Sequence, residues 1–460
     1  MAWDIITSHL LSVVKHTPAP QTIRLQASRI LDDILIIVPR NLSTTGDLQP
    51  KVQRRVLDVL AQQVITEGGG LGNSTTVEVR RMGLETLHQI LQASGHTLVV
   101  GWETIFEMLG SVCKPAALSP SATETDLAAA SSTPTSRRPP PLGYMNEKSY
   151  SSLIKIAFQS LTLVCDSLSE LSPEHLRLCI TTLGQFGRQA DTNIALTAAE
   201  SLLWGVSDSI QAKRKDVDTE PEYSALWMFL LLEMLGLCTD GRPEVRVGAI
   251  QTLFRTLQLY GATLSLSTWD ECVWKVTFPL LDSITQSIRQ ISTSAPDGVA
   301  AGADLQWDES KILALQQIGS IFHEFLTNKI MHLDSFKRAW EVFVERIEDS
   351  WLNDNRSISA PALRCLDKAV KALATAEGDI RPQASAALEV VWQACDRMGE
   401  AVVTKPTVLE GEASSKPFTQ ESLMTFVDVI RSTRAAYKEF EKHEWLLDRI
   451  TRLMAVLKGR

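Results

Sequence analysis

The sequence lacks most of what marks an enzyme, a membrane span or a nucleic-acid binder. No two of its seven cysteines form a C-x-x-C pair, so neither a zinc site nor a dithiol redox motif is written. Most of them sit in apolar helical patterns, as reduced, buried thiols of a cytosolic protein are expected to. The eight histidines never form H-x-x-x-H, nor join a cysteine or acid at metal-ligand spacing. There is no G-x-S-x-G elbow. "GGGLGN" lacks the Lys-Ser/Thr and the preceding strand of a phosphate-binding loop, so it reads as a linker. No apolar run reaches the roughly 18 residues of a membrane span. With a net charge of −9 and no long basic stripe, nucleic acid is not expected as a partner. No catalytic residue, metal ligand or cofactor site can therefore be named, and no enzyme activity is expected.

What is present is helical periodicity. The chain is 44% hydrophobic and 22% charged, with abundant Leu and Ala. "LFRTLQLYGATL" carries Leu253, Phe254, Leu257 and Tyr260 on one stripe and ends at Gly261. "IKIAFQSLTLVCDSL" (154–168) and "ALWMFLLLEMLGLC" (225–238) are apolar almost all round, which predicts helices inside a multi-helix packing. Alternating strand patterns are scarce, and "ILIIV" (34–38) continues the helical stripe that starts at Ile23. The opening "MAWDIITSHLLSVVKH" has no basic n-region and no small-residue cleavage site. It reads as the middle of an amphipathic helix, so the chain is expected to be part of a longer protein.

One helical phrase is written twice. "VEVRRMGLETL" (77–87) returns within "DGRPEVRVGAIQTLF" (240–254). Glu78, Val79, Arg80, Thr86, Leu87, Leu91, Gln92, Gly95, Thr97 and Leu98 fall on Glu244, Val245, Arg246, Thr252, Leu253, Leu257, Gln258, Gly261, Thr263 and Leu264, and a Trp followed by an acid comes after each copy, Trp102 and Trp269. Looser versions occur at 19–31, 189–203 and 355–370. A lone helical hairpin cannot bury both faces of its helices, so repetition at this grain predicts stacked neighbours sharing one core. The expected fold is all-α, a HEAT/armadillo-like helical-repeat solenoid with long disordered insertions. Val79, Arg80, Trp102, Glu244, Val245, Arg246, Gly248 and Trp269 are expected in packing roles, small residues such as Gly83 and Gly248 allowing close helix approach. The expected organisation is helical repeats over 1–113, 150–285 and 311–403, with terminal helices over 418–460. A disordered Pro/Ser/Thr-rich linker is expected over 114–149, a flexible loop over 286–310 and another over 404–417. Asp32 and Asp33, about 100° apart on a helix, cannot share a substrate atom and read as a solvated edge.

Three segments could carry binding. "KRK" (213–215) is largely neutralised by the adjacent "DVDTEPE", and "SRRPPP" (136–141) reads as linker. The C-terminal "EWLLDRITRLMAVLKGR" is stronger: Trp445 and Leu453 lie on an apolar stripe flanked by Arg449, Arg452 and Lys458, which suits an anionic membrane surface or a partner's groove.

The segments "LIKIAFQSLTLVCDSLSELSPEHLRLCITTLGQFGRQADTNIALTAAESLLWGVSD" (153–208) and "RPEVRVGAIQTLFRTLQLYGATLSLSTWDECVWKVTFPLLDSI" (242–284) resemble the helical regions downstream of the exchange domain in large Golgi Arf guanine-nucleotide exchange factors. "TIRLQASRILDDILIIVPRNL" (22–42) and "GWETIFEMLGSV" (101–112) point within that group to the Mon-two (monensin-sensitivity) family, which lacks the exchange domain. The resemblance implies a non-enzymatic cytoplasmic scaffold, peripheral to trans-Golgi and endosome membranes. It implies Dopey as a protein partner and an indirect link to an Arf-like GTPase and a phospholipid flippase. It carries over no GTPase-binding residue and fixes no oligomeric state. Two other readings are the downstream regulatory half of a true Arf exchange factor and an unrelated helical-repeat carrier. The carrier would need a ladder of regularly spaced Trp-Asn pairs, which the eleven tryptophans do not form.

Overall fold

The structure, a computed structural model, describes residues 2–42, 49–65, 74–113, 144–213, 221–294, 300–404, 418–441 and 451. Among the described residues the protein is all-α, with helices joined by turns and no strand. Helix starts follow local chemistry. Ser172 accepts the His175 amide ahead of Pro173, and Ser265 accepts the Thr268 amide. Thr419 and Ser422 cap reciprocally, each hydroxyl accepting the other's backbone N–H at 3.0–3.1 Å. Gly101 caps its helix in the left-handed region, φ +89°, against Leu57.

The chain divides into two compact units, 1–201 and 202–460. The first holds α1 (Ala2–Lys15), α2 (Gln21–Leu42), α3 (Gln49–Val64), α4 (Ser74–Ser94), α5 (Trp102–Ser111), α6 (Tyr144–Cys165), α7 (Pro173–Gly187) and α8 (Thr192–Ser201). Consecutive helices pair as α1/α2, α3/α4, α5/α6 and α7/α8. The first members pack on one another in series, and so do the second members. That is a stack in two layers, each pair hiding the apolar face its neighbour leaves open.

The second unit repeats the plan. It holds α9 (Ser207–Lys213), α10 (Pro221–Leu237), α11 (Pro243–Tyr260), α12 (Leu266–Cys272), α13 (Phe278–Ser294), α14 (Ala300–Phe325), α15 (Phe336–Asn353), α16 (Arg356–Leu373), α17 (Arg381–Thr404) and α18 (Gln420–Glu441). Five-residue π turns occupy Leu202–Val206 and Val273–Thr277. The pairs are α10/α11, α13/α14, α15/α16 and α17/α18, and α11, α14, α16 and α18 pack in sequence as one layer. Large aromatics fill the core: Trp227, Trp269, Trp340 and Trp351 are each buried, and the Trp340 indole donates to the Ala387 carbonyl at 2.9 Å, tying α15 to α17.

Three expectations change. Residues 144–149 open α6 instead of closing the 114–149 linker, whose remainder lies outside the described residues. The loop expected over 286–310 is helix up to Ser294 and again from Ala300, because Ala is a strong helix former and Trp307 and Lys311 are drawn into the core. The stretch 150–201, expected to belong to a central block, joins the first unit, since α6 packs on α4 and α7 on α5. Residues 405–417 lie outside the described residues.

Within the first unit, two helices approach closely at Gly83. A Cβ there would lie 2.7 Å from Val64 Cγ2 and 3.4 Å from the Gln63 side chain. Gly83→Leu is expected to destabilise the first unit by about 1–3 kcal/mol through overpacking. Urea unfolding checks this, and adding Val64→Ala should recover part of the loss. By the 166-residue offset Gly83 matches Ala249, which is buried, and not Gly248, which is half-buried.

Candidate partner-binding surface

The repeated phrase folds into the same local structure twice. In each copy a long helix (α4, α11) ends in a 3-10 turn, Gly95–Thr97 or Gly261–Thr263, and an extended leucine, Leu98 or Leu264, turns into the buried core before the next helix. Val79, Val245, Trp102 and Trp269 are buried, and Glu244 is exposed. The Trp269 indole donates to the Gly261 carbonyl at 2.9 Å and its ring lies 5.1 Å from Phe325, so this tryptophan clamps the turn that precedes it. Trp102 packs by its ring on Phe106 at 6.4 Å.

The two arginines hold neighbouring elements together. Arg80 donates through Nε to the Val64 carbonyl at 2.9 Å and through Nη2 to Ser111 Oγ at 3.4 Å. Arg246 is fully buried. It donates to Ser310 Oγ at 2.8 Å and to the carbonyls of Asp240 (2.7 Å), Gly241 and Gln306 (both 3.3 Å), and its guanidinium lies 3.7 Å from the Trp307 ring centroid. Burial is the main cause lowering the pKa of both, with the Asp240 and Glu244 carboxylates opposing it at Arg246.

Sequence reasoning missed the rest of this polar seam. On α14, Asp308 accepts from Asn355 Nδ2 at 2.8 Å and Ser357 Oγ at 3.1 Å, and Lys311 pairs with Asp354 with both side chains almost wholly buried. The partners are more than forty residues apart, beyond the reach of any spacing rule.

Asp32 corrects the solvated-edge expectation. It is 7% exposed and accepts from Gln63 Nε2 at 3.1 Å, while Asp33 stays exposed. Burial pushes its carboxyl up to about 6, opposed by hydrogen bonds from Gln63 and Thr86 and reinforced by the Asp33 and Glu85 carboxylates. The folded value therefore exceeds the ordinary 3.8. Between roughly pH 4 and 6 the folded chain keeps a proton that the unfolded chain has released, so stability falls as pH rises through that window. Asp32→Asn is expected to stabilise the first unit by about 1–3 kcal/mol at pH 7.5 and by much less at pH 4. Urea titrations at the two pH values measure the difference. Gln63 Oε1, on the same amide that donates to Asp32, is a buried oxygen without a hydrogen-bond partner.

Nucleophile chemistry finds little support in the titratable groups. The cysteines are free, and burial pushes the thiols of Cys113, Cys272, Cys365 and Cys395 up to about 12. Among the described residues no group of three His, Cys, Asp or Glu side chains could hold a metal ion.

The outer surface of the second unit is a different matter. Cross-helix ion pairs stitch its helices: Arg346 to Asp282 (2.7 Å), Arg289 to Asp349 (2.9 Å), Arg397 to Glu348 (2.6 Å), and Arg364 to Glu421. Two open grooves lie along these seams. One, of about 540 Å³, runs between α13 and α15 past Thr285, Arg289 and Arg346. The other, of about 620 Å³, runs between α16 and α18 past Arg364, Asp367, Glu421 and Asp428, with Met424 exposed on its wall. Shallow grooves with a polar rim and an isolated apolar contact suit protein segments better than small molecules. Trp445, Arg449, Arg452, Leu453 and Lys458 lie outside the described residues. No helix among the described residues is long and apolar enough to cross a membrane.

Comparisons with known proteins agree at both ends of the chain. The family described as "C-terminal region of Mon2 protein" matches residues 214–421, and the family described as "Mon2/Sec7/BIG1-like, HDS" matches residues 51–121. The chain is similar to "Protein MON2 homolog" of Drosophila melanogaster, 29% identical over 397 residues, covering 80% of this chain and 21% of that protein. "Protein MON2 homolog" of Homo sapiens is 26% identical over 423 residues, covering 83% of this chain and 22% of that protein. "Brefeldin A-inhibited guanine nucleotide-exchange protein 2" of Arabidopsis thaliana is 32% identical over 132 residues, but these cover only 27% of this chain and 7% of that protein. The chain spans about a fifth of the length of the MON2 homologues it matches.

Proposed function

The chain belongs to the Mon2 family, and from that premise we propose that it is a non-enzymatic scaffold segment working in vesicle trafficking between endosomes and the trans-Golgi. In this reading the paired helices of each unit are HEAT/armadillo-like repeats. Their exposed layers hold protein partners, Dopey among them, at the cytoplasmic face of the membrane. An Arf-like GTPase and a phospholipid flippase are linked through those partners and not through contacts of this segment. The observation that carries the reading is the two-layered stacking of helix pairs in both units, because such stacks build long surfaces on which partners can dock. The breadth of the family match favours it over the downstream half of an Arf exchange factor, whose relatives cover 27% and 42% of the chain against 80% for the fly MON2 homologue.

The test is a pull-down between the purified chain and purified Dopey. Saturable binding is expected. Absence of binding, with both proteins folded, removes Dopey as a partner of this segment. Membrane attachment is assigned to the basic, apolar stripe around Trp445 and Leu453, on the strength of its sequence. The double variant Arg449→Glu/Arg452→Glu is expected to lose co-sedimentation with liposomes rich in phosphatidylserine by at least about tenfold, at about 1 kcal/mol per basic residue removed and more on reversal. Unchanged co-sedimentation would place the contact elsewhere.

A further inference from the structure

The two π turns each carry a tryptophan, and the two are treated differently. Trp274, in Val273–Thr277, donates its indole N–H to Ser335 Oγ at 3.0 Å and packs edge-on against Phe278, so it is fixed inside the second unit. Trp204, in Leu202–Val206, is 41% exposed and makes no hydrogen bond to any described residue. A π turn inserts one residue into a helix and rotates the side chains there off the regular face. Here the rotated side chain is a large aromatic facing solvent.

Arg255 of α11 covers one side of it, the guanidinium carbon 4.3 Å from the ring centroid. Arg255 makes no ion pair or hydrogen bond with another described residue, so none of these occupies its N–H donors. One turn further along α11, Leu259 is 50% exposed, and Gln251 lies exposed one turn before. The Asp208 carboxylate accepts from the Tyr260 hydroxyl. That bond, the Thr263–Gln211 hydrogen bond at 3.2 Å and the Trp227–Tyr260 ring contact at 5.3 Å lock the end of α11 to the elements beneath. The platform is therefore held in place before any ligand arrives, which lowers the entropic cost of binding. An exposed tryptophan and the arginine stacked on it are residue types that dominate protein interfaces, and the half-exposed leucine adds apolar area beside them.

We propose that Trp204, Arg255 and Leu259 form a docking site for a short acidic segment of a protein partner. A carboxylate of the segment takes the Arg255 fork, and an apolar side chain about one turn away lies on Trp204 and Leu259. The Arg255 guanidinium, flanked by glutamine and leucine and without an ion pair among the described residues, sets the sign of the ligand. The bidentate geometry of guanidinium favours a carboxylate over a diffuse anionic surface. This assignment rests on the scaffold reading but does not depend on Dopey being the partner.

The test uses the whole chain and fluorescein-labelled 14-residue helical peptides with one Glu and one Leu four residues apart, read by anisotropy. Peptides carrying the pair are expected to bind. Their affinity should fall at least tenfold for Arg255→Gln and for Leu259→Ser, both exposed positions, and likewise when the peptide Glu becomes Gln. Thermal melts must match the parent, and Trp204→Phe, which keeps a ring, should lose less than Trp204→Ala. Equal affinity for parent and Arg255→Gln overturns the proposal. So does an Arg255-dependent association with anionic vesicles unaccompanied by peptide binding, which would assign the site to lipid. A concentration-dependent dimer abolished by Arg255→Gln would assign it to a second copy and overturn it too. The Dopey pull-down reports separately on the scaffold reading, so failure of one leaves the other standing or falling by itself.

Discussion

Arg246→Ala is expected to lower the stability of the second unit by about 3–5 kcal/mol, the range seen when one member of a buried charged network is removed. The side chain is wholly buried, with four hydrogen bonds and a tryptophan stacked on it. Alanine leaves the Asp240 and Gln306 carbonyls facing a cavity, which adds a desolvation cost to the lost packing. Two companion variants separate these contributions. Arg246→Met refills much of the volume without donors and should recover about 1–2 kcal/mol. Arg246→Lys keeps the charge but offers a point donor instead of a fork, and should still lose about 2 kcal/mol. Arg80→Ala, at the matching place in the first unit, should lose less, about 1–2 kcal/mol, because Arg80 is half-buried and makes two hydrogen bonds. Urea unfolding followed by tryptophan fluorescence measures all four. Equal losses at Arg246 and Arg80 would mean that burial is not what sets the cost.

That comparison also shows how far the sequence could be read. The doubled phrase was visible because ten identities at one offset follow helical spacing, and both copies do fold as helix, 3-10 turn and helix. Val79, Val245, Trp102 and Trp269, which the apolar stripe singles out, are buried. Composition misled over 286–310, where Ser, Ala, Gly and Asp suggested a loose connection. The deciding contacts, Trp307 on Arg246 and Lys311 on Asp354, reach across distant chain segments that local composition does not register. Asp32 was misread for a related reason: adjacent acids look like a solvent edge, yet 100° of rotation puts one against Gln63 and leaves the other in water. Trp204 gave no signal as a surface residue, since a tryptophan in "LLWGV" fits a buried stripe until the π turn rotates it outward.

Lys311→Met is expected to lower the stability of the second unit by a similar amount, about 3–5 kcal/mol, and the loss should be largely reversible by a second substitution. Lys311 and Asp354 are exposed by only 1% and 4%, so methionine strands a carboxylate where little water can reach it. Asp354→Leu alone should be as harmful, leaving the ammonium unpaired. The double variant Lys311→Met/Asp354→Leu buries neither charge and fills the site with apolar volume. It should return to within about 1–2 kcal/mol of the parent, as exchange of buried pairs for hydrophobic residues generally allows. Four urea titrations complete the cycle. Losses that simply add in the double variant would show that the two side chains do not act as a pair and that their positions matter only for packing. A double variant as stable as the parent would instead ask what the pair contributes. Asp308 on the same helix answers that, since it accepts from Asn355 and Ser357 beside Asp354. Together the two side chains fix the register of α14 against the turn between α15 and α16. The double variant should then melt less cooperatively, with a lower m-value even at equal stability.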